Sequence, residues 1–196
     1  MYTTTDLKVL ELVYLQPGIH TRALCRGLKL GMPSVKNSLR KLEGILKKKK
    51  EGYQVCYYLN YAKEGITPAL TMVEFVRKQR LPPKVRLALH DLYGHLKDKP
   101  LLLLLFGSYA RGDHRADSDV DVFLVLQELK EAENIERVAR MISSSTNTQL
   151  NAVYLDYASF RSSFHNSTKV FFKNLERDKM VLIGMELWRL LENEKA

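Results

Sequence analysis

The sequence predicts an α/β domain preceded by a smaller, mainly α domain, on three observations. Apolar residues recur at helical spacing over most of the first 50 positions, then give way to a β-branched and aromatic run. Between residues 101 and 126, two apolar runs flank a polar, glycine-bearing loop, the pattern of two buried strands around a turn. The charge is also divided. Residues 1–65 carry 12 Lys and Arg against 5 Asp and Glu, whereas residues 66–196 carry 19 against 17. A basic front and a near-neutral back indicate two modules with different partners, the front one suited to a polyanion. The expected division is a front domain at 1–65, a linking helix at 66–82 and a back domain at 83–196.

The elements follow in chain order. Residues 5–15 place Leu7, Leu10, Val13 and Tyr14 on one helical stripe, which Gln16-Pro17-Gly18 ends. Thr21 is a cap for a second helix carrying Ala23, Leu24 and Leu28 inward. Gly31-Met32-Pro33 makes a tight turn. Ser34 then caps a third helix over residues 34–50, with Val35, Leu39, Leu42 and Leu46 as its buried stripe. The opposite face carries Lys36, Asn37, Arg40 and Lys41, and the run Lys47 to Lys50 closes the segment. Glu51-Gly52 turns the chain into YQVCYYLNY, which reads as strand. This order resembles the winged helix-turn-helix domains of prokaryotic transcription regulators. The resemblance implies that the third helix enters the major groove of double-stranded DNA and that Lys36, Asn37, Arg40, Lys41, Lys47 and Lys48 contact it. It also implies a homodimer, since such proteins often bind two half-sites.

Residues 67–80 and 83–97 both show helical periodicity, with Pro68 and Pro82-Pro83 at helix-start positions. His90 and His95 are five apart, so they do not share a face for a metal.

In the back half, Leu101 to Phe106 reads as a buried strand that turns at once into Gly107-Ser108. Glycine lets backbone approach a ligand, Ser108 offers a hydroxyl donor, and Arg111 and Arg115 offer charge to phosphate. On the next strand Asp119 and Asp121 are two apart and leave the same face, while Val120, Val122, Leu124 and Leu126 face the other way. Paired carboxylates repel unless a cation bridges them, and oxygen ligation beside phosphate suits Mg²⁺. The expected ligand is therefore a metal-bound nucleoside triphosphate.

Gly107-Ser108, Ala110-Arg111-Gly112 and Ser118-Asp119-Val120-Asp121 resemble the GS-x-ARG…SD-x-D signature of the DNA polymerase β-like nucleotidyltransferases, especially the minimal prokaryotic ones, over roughly residues 85–160. The resemblance implies an α/β domain built on a mixed sheet with flanking helices, and Mg²⁺ (or Mn²⁺) dependence. It also implies transfer of a nucleoside monophosphate, with Asp119 and Asp121 as metal ligands and catalytic residues and Gly107 and Ser108 on the triphosphate. The acceptor is expected to be a small molecule, a protein or an RNA end. That signature has a third carboxylate on a later strand, read here as residues 148–160, and the matching position holds Asn151. An amide cannot serve as a base. Asp156 lies five residues further, on the opposite face and about 16 Å away, so Asp113 and Asp117 are the better substitutes. Two functions follow as alternatives: a DNA-bound nucleotidyltransferase, or a nucleotide-sensing regulator that has lost catalysis.

The tail, residues 166–192, reads as two packing helices, with Lys169, Lys173 and Trp188 in ordinary surface and core roles. Cys25 and Cys56 form neither a metal-ligand spacing nor a disulfide framework, which suits a reducing cytoplasm. No apolar run approaches a membrane span and no signal peptide is visible, so no membrane association is expected.

Overall fold

The computed structural model describes residues 2–130, 132–165 and 170–195. The backbone divides into two compact units, Met1–Val73 with Glu192–Glu194, and Glu74–Leu191 with Lys195.

The front unit runs α1 (Thr4–Leu15), β1 (Ile19–His20), α2 (Thr21–Leu28), α3 (Met32–Lys41), β2 (Leu46–Glu51) and β3 (Gln54–Leu59). Its strands form an antiparallel sheet in the order β1-β3-β2. α1 opens on a reciprocal cap: the Asp6 N–H donates to the Thr3 hydroxyl and the Thr3 N–H to the Asp6 carboxylate, at 3.2 and 2.8 Å. Asp6 is also buried, and it accepts the Ser38 hydroxyl at 2.6 Å, tying α1 to α3. Burial alone would raise its carboxyl pKa. The Ser38 and Thr3 hydrogen bonds and the charge of Lys41 outweigh burial and hold the pKa below the ordinary aspartate value.

Two expectations for this unit are corrected. α2 is capped by His20, whose Nδ1 accepts the Ala23 N–H at 3.2 Å, and Thr21 is the first helical residue. The helix expected over 34–50 is two elements. α3 starts after Gly31, with Pro33 in its first turn, and ends at Lys41; Lys47 to Lys50 lie in β2. Gly44 sits in the turn between them. Four successive lysines in a helix would stack like charges at three- and four-residue spacing. In β2 all four are exposed, while Leu46 is buried and pairs with Leu59 of β3. Leu42 and Leu46 are thus both core residues, as the stripe predicts, but from different elements.

α4 (Ile66–Gln79) carries the division between the units. The back unit continues with α5 (Pro83–His95), β4 (Leu102–Phe106), α6 (Gly107–Arg111), β5 (Val120–Leu126), α7 (Ala132–Thr146), β6 (Leu150–Asp156), α8 (Tyr157–His165), α9 (Val170–Arg177), β7 (Met180–Ile183) and α10 (Met185–Lys195). The sheet order is β6-β5-β4-β7, with β5 and β6 parallel and the other pairs antiparallel. This is the mixed α/β architecture expected.

The period-2 reading of β5 decides which side of the sheet holds the site. Val120, Val122, Leu124 and Leu126 join one buried cluster with Val85, Leu89 and Leu92 of α5 and Ile135, Val138 and Ile142 of α7. Phe123 points the other way and packs on Phe160, Phe171 and Phe172, with centroids 5.6, 5.7 and 6.4 Å away. Behind these rings lies Trp188, fully buried, with Phe164 edge-on at 5.3 Å. Asp121 shares the Phe123 face.

Two strand assignments also change. The strand read over 148–160 stops at Asp156, whose carboxylate accepts the Ser159 N–H and hydroxyl (both 2.8 Å) and starts α8. In the tail, Met180–Ile183 is not helical but forms strand β7 against β4, because the β-prone run Met-Val-Leu-Ile completes the sheet. Lys169 lies outside the described residues, and Lys173 is exposed.

Candidate active site

The site forms where three strands bring short polar side chains into register. β4 pairs with β5 so that Phe106 stands opposite Asp121, and β5 pairs with β6 so that Asp121 stands opposite Asn151. Asp121 is therefore flanked by the start of the glycine loop on one side and by Asn151 on the other. Asp119, two residues earlier, is exposed just ahead of β5, and Asp121 is half-buried.

Gly107 is required twice over. Its φ is +73°, the left-handed region, and a Cβ built there would lie 2.6 Å from Asp121 Oδ2. The loop backbone and the carboxylate therefore meet at a distance only a hydrogen permits. Ser108 follows, half-buried, and its carbonyl accepts the Gly112 and Asp113 N–H groups at 2.9 and 3.1 Å. These bonds close α6 into a tight turn that leaves Gly107 beside the carboxylates.

Asn151 completes the cluster. Its Nδ2 donates to Asp119 Oδ2 at 3.2 Å and to Asp121 Oδ1 at 3.1 Å, and its Oδ1 accepts from Gln149 Nε2 at 3.2 Å. The amide thus stands where the sequence resemblance places a third carboxylate, and it bridges the other two.

The expected substitutes do not fill that role. Asp113 accepts from Arg111 Nε at 3.0 Å. Asp117 acts on Tyr109, whose phenol pKa is raised by burial and then by the Asp117 charge. Among the described residues, no group of three His, Cys, Asp or Glu side chains is arranged to hold a metal ion.

The two arginines are placed differently. Arg111 lies between Asp113 and Asp178, the latter at 3.7 Å, and its pKa is raised chiefly by the Asp113 hydrogen bond. Arg115 is exposed on the 113–118 loop, where its backbone N–H donates to the Ser118 hydroxyl at 2.8 Å. That loop is pinned by the Tyr109–His114 ring stack (centroids 4.3 Å) and by Lys84 Nζ donating to the Ala116 carbonyl at 3.1 Å.

Sequence reasoning missed the support behind the loop. Arg77 of α4, buried, donates to Glu74 Oε2 (2.8 Å), to the Lys179 carbonyl (3.0 Å) and to the Ala110 carbonyl of α6 (2.9 Å). Glu74 Oε1 in turn accepts the Val181 N–H of β7 at 2.9 Å. One ion pair therefore holds the end of the glycine turn against the sheet. The available signal was Glu74 and Arg77 three apart on a helix that also carries Ile66, Leu70 and Val73.

In the front unit, Lys36, Asn37, Arg40 and Lys41 all lie exposed on α3, and Lys47 and Lys48 are exposed on β2. Arg40 donates to Asn37 at 2.8 Å, Lys41 is 3.5 Å from Asp6, and Lys48 is bonded to Glu43. The β2–β3 turn projects Tyr53, which is fully exposed.

Residues 93–181 match the family described as Polymerase beta, Nucleotidyltransferase. That range reaches beyond residue 160 to β7, the strand missing from the sequence reading. A protein of Methanocaldococcus jannaschii named "Putative protein adenylyltransferase MJ0141" is 46% identical over 56 residues, 27% of this chain and 57% of the relative. The chain thus spans little more than half the length of that relative. A crystal structure of a toxin–antitoxin with AMP-PNP is similar over 55% of this chain and 80% of its own, at 17% identity and a TM-score of 0.41. A toxin–antitoxin MntA–HpeT mutant is similar over 57% and 82%, at 15% identity and a TM-score of 0.41. Among the described residues no helix is long and apolar enough to cross a membrane. The strand, glycine turn and paired aspartates built up above all fall within residues 93–181, the range that is similar to the polymerase β nucleotidyltransferase family.

Proposed function

We propose that the back unit binds a nucleoside triphosphate together with Mg²⁺ (or Mn²⁺) and transfers the nucleoside monophosphate to a macromolecular acceptor. The front unit is a winged helix that holds double-stranded DNA. The observation that carries the first part is the approach of Gly107 to Asp121: a ligand-accessible backbone turn set against two convergent carboxylates.

The donor set suits a hard divalent cation, since Asp119 and Asp121 offer only oxygens. Those two residues would hold the ion, which when bound neutralises phosphate charge. The chain's own groups do the rest. The Gly107-Ser108 turn and the Ser108 hydroxyl orient the triphosphate. Arg111 exchanges part of its contact with Asp113 and Asp178 for phosphate oxygens, and Arg115 adds charge from the loop. A bond forms between the acceptor oxygen and the α-phosphorus, and the bond from that phosphorus to pyrophosphate breaks. The acceptor proton passes to water, because the Asn151 amide cannot accept it. The relative named as a protein adenylyltransferase makes a protein acceptor and an adenine nucleotide the first pair to test.

The winged-helix reading is supported by the order helix, strand, helix, helix, hairpin and by the exposed basic residues on α3 and β2. A second reading, a nucleotide-sensing DNA-binding regulator without catalysis, is favoured by Asn151 alone.

The test is incubation with Mg²⁺ and each α-labelled nucleoside triphosphate, with and without lysate, beside Asp119→Ala. Label moved to a macromolecule and absent in the variant supports transfer. Mg²⁺-dependent nucleotide binding without transfer selects the sensing reading, and no nucleotide binding rejects both.

A further inference from the structure

We infer that the site in the back unit is built for one divalent cation per bound nucleotide, the Asn151 amide standing where a second cation would bind. The inference rests on the nucleotide-binding reading above.

An amide nitrogen carries two hydrogens, and Asn151 uses one on each aspartate: Asp119 Oδ2 at 3.2 Å and Asp121 Oδ1 at 3.1 Å. A cation bridging those same two oxygens would have to displace the amide and would face its positive end. The orientation is fixed from behind, because Gln149 Nε2 donates to Asn151 Oδ1 at 3.2 Å. The carbonyl oxygen, the metal-ligating atom of an amide, is thereby turned away from the aspartates.

The other oxygen of Asp121 points elsewhere. Its Oδ2 lies against Gly107, at the mouth of the glycine turn, where a triphosphate would lie. The amide and a nucleotide-borne cation therefore address different oxygens of Asp121. An aspartate at position 151 would replace the amide with a further anionic oxygen donor, the ligand type a second hard cation takes.

The test is cation stoichiometry on the full chain, read by the loss of the free Mn²⁺ electron paramagnetic resonance signal with a non-hydrolysable adenosine triphosphate analogue. Wild type is expected to hold one Mn²⁺ per bound nucleotide, and Asn151→Asp two. Two in the wild type, or one in a folded Asn151→Asp, overturns the inference while leaving nucleotide binding intact. No nucleotide-dependent Mn²⁺ binding in the wild type overturns the underlying reading as well. Should Asn151→Asp fail to fold, Asn151→Ala serves. It should still bind one Mn²⁺, melt below wild type without metal, and recover when Mn²⁺ alone is added. An unchanged metal-free melting temperature in that variant would overturn the bridging role of the amide.

Discussion

A single hydrogen at Gly107 separates the glycine turn from Asp121. Gly107→Ala places a methyl where Asp121 Oδ2 already stands at 2.6 Å and also strains a φ of +73°. We expect a cost of about 1–3 kcal/mol in stability and a larger proportional loss of nucleotide affinity, measured side by side by thermal melting and nucleotide titration. Loss of stability with unchanged affinity would remove Gly107 from the binding turn. Asp6 carries a prediction of another kind. Its folded pKa is depressed, so its stabilisation is complete above the unfolded aspartate range, near pH 4, and is lost as pH falls through the lower folded value. Asp6→Asn should therefore flatten the acid side of the front unit's stability curve, as followed by urea unfolding at a series of pH values. At this scale the turn at Gly107 and the neighbouring placement of Asp119 and Asp121 were legible, because loop chemistry and period-2 spacing act locally, whereas Asn151 was singled out by the family resemblance. The bridge from Asn151 to both aspartates was not legible. It depends on the parallel register of β5 and β6, which no neighbouring residue specifies.

Among the elements, α4 was the one most under-read. Its Glu74–Arg77 pair is buried and bonded to Ala110, Lys179 and Val181, so it couples the glycine turn to β7. Removing one partner of a buried pair typically costs about 3–5 kcal/mol. Arg77→Ala should lower the urea midpoint of the back unit accordingly, whereas replacing Glu74 and Arg77 together by apolar residues should cost less. Equal losses would show that the carbonyl contacts, not the ion pair, hold the turn. In the front unit, Lys47→Ala with Lys48→Ala should weaken DNA binding uniformly across sequences and reduce the salt slope by roughly one to two, as read from anisotropy titrations at several salt concentrations. A sequence-selective loss would instead place these lysines against base edges. Met180–Ile183 was misread because a short apolar run fits helix and strand alike, and residues 46–50 because Leu46 continues the helical stripe of α3; in both the choice is made by a distant pairing strand. For Leu46 that strand is β3, and for Met180–Ile183 it is β4.

For the whole chain, the charge division is visible in composition alone, and it sets the expectation that the two units take different partners. Their ligands should then protect different amides. Nucleotide with Mg²⁺ at about a hundred times its Kd adds roughly 2.7 kcal/mol to whatever binds it. Hydrogen exchange should slow over residues 102–126 and 150–156, and DNA should slow exchange over residues 32–59. Protection that ignores this division would count against separate ligand sites. The lysine-bearing strand also bears on how separate copies of the chain meet. β2 is an outer strand of its sheet, with Lys47 to Glu51 all exposed. Four lysines in succession make that border repel its own image, so two copies cannot extend the sheet across it. Neutralising those lysines would remove this protection against aggregation along with the proposed phosphate contacts. A charge-preserving Lys→Arg exchange is the control that separates lost DNA affinity from a newly adhesive edge.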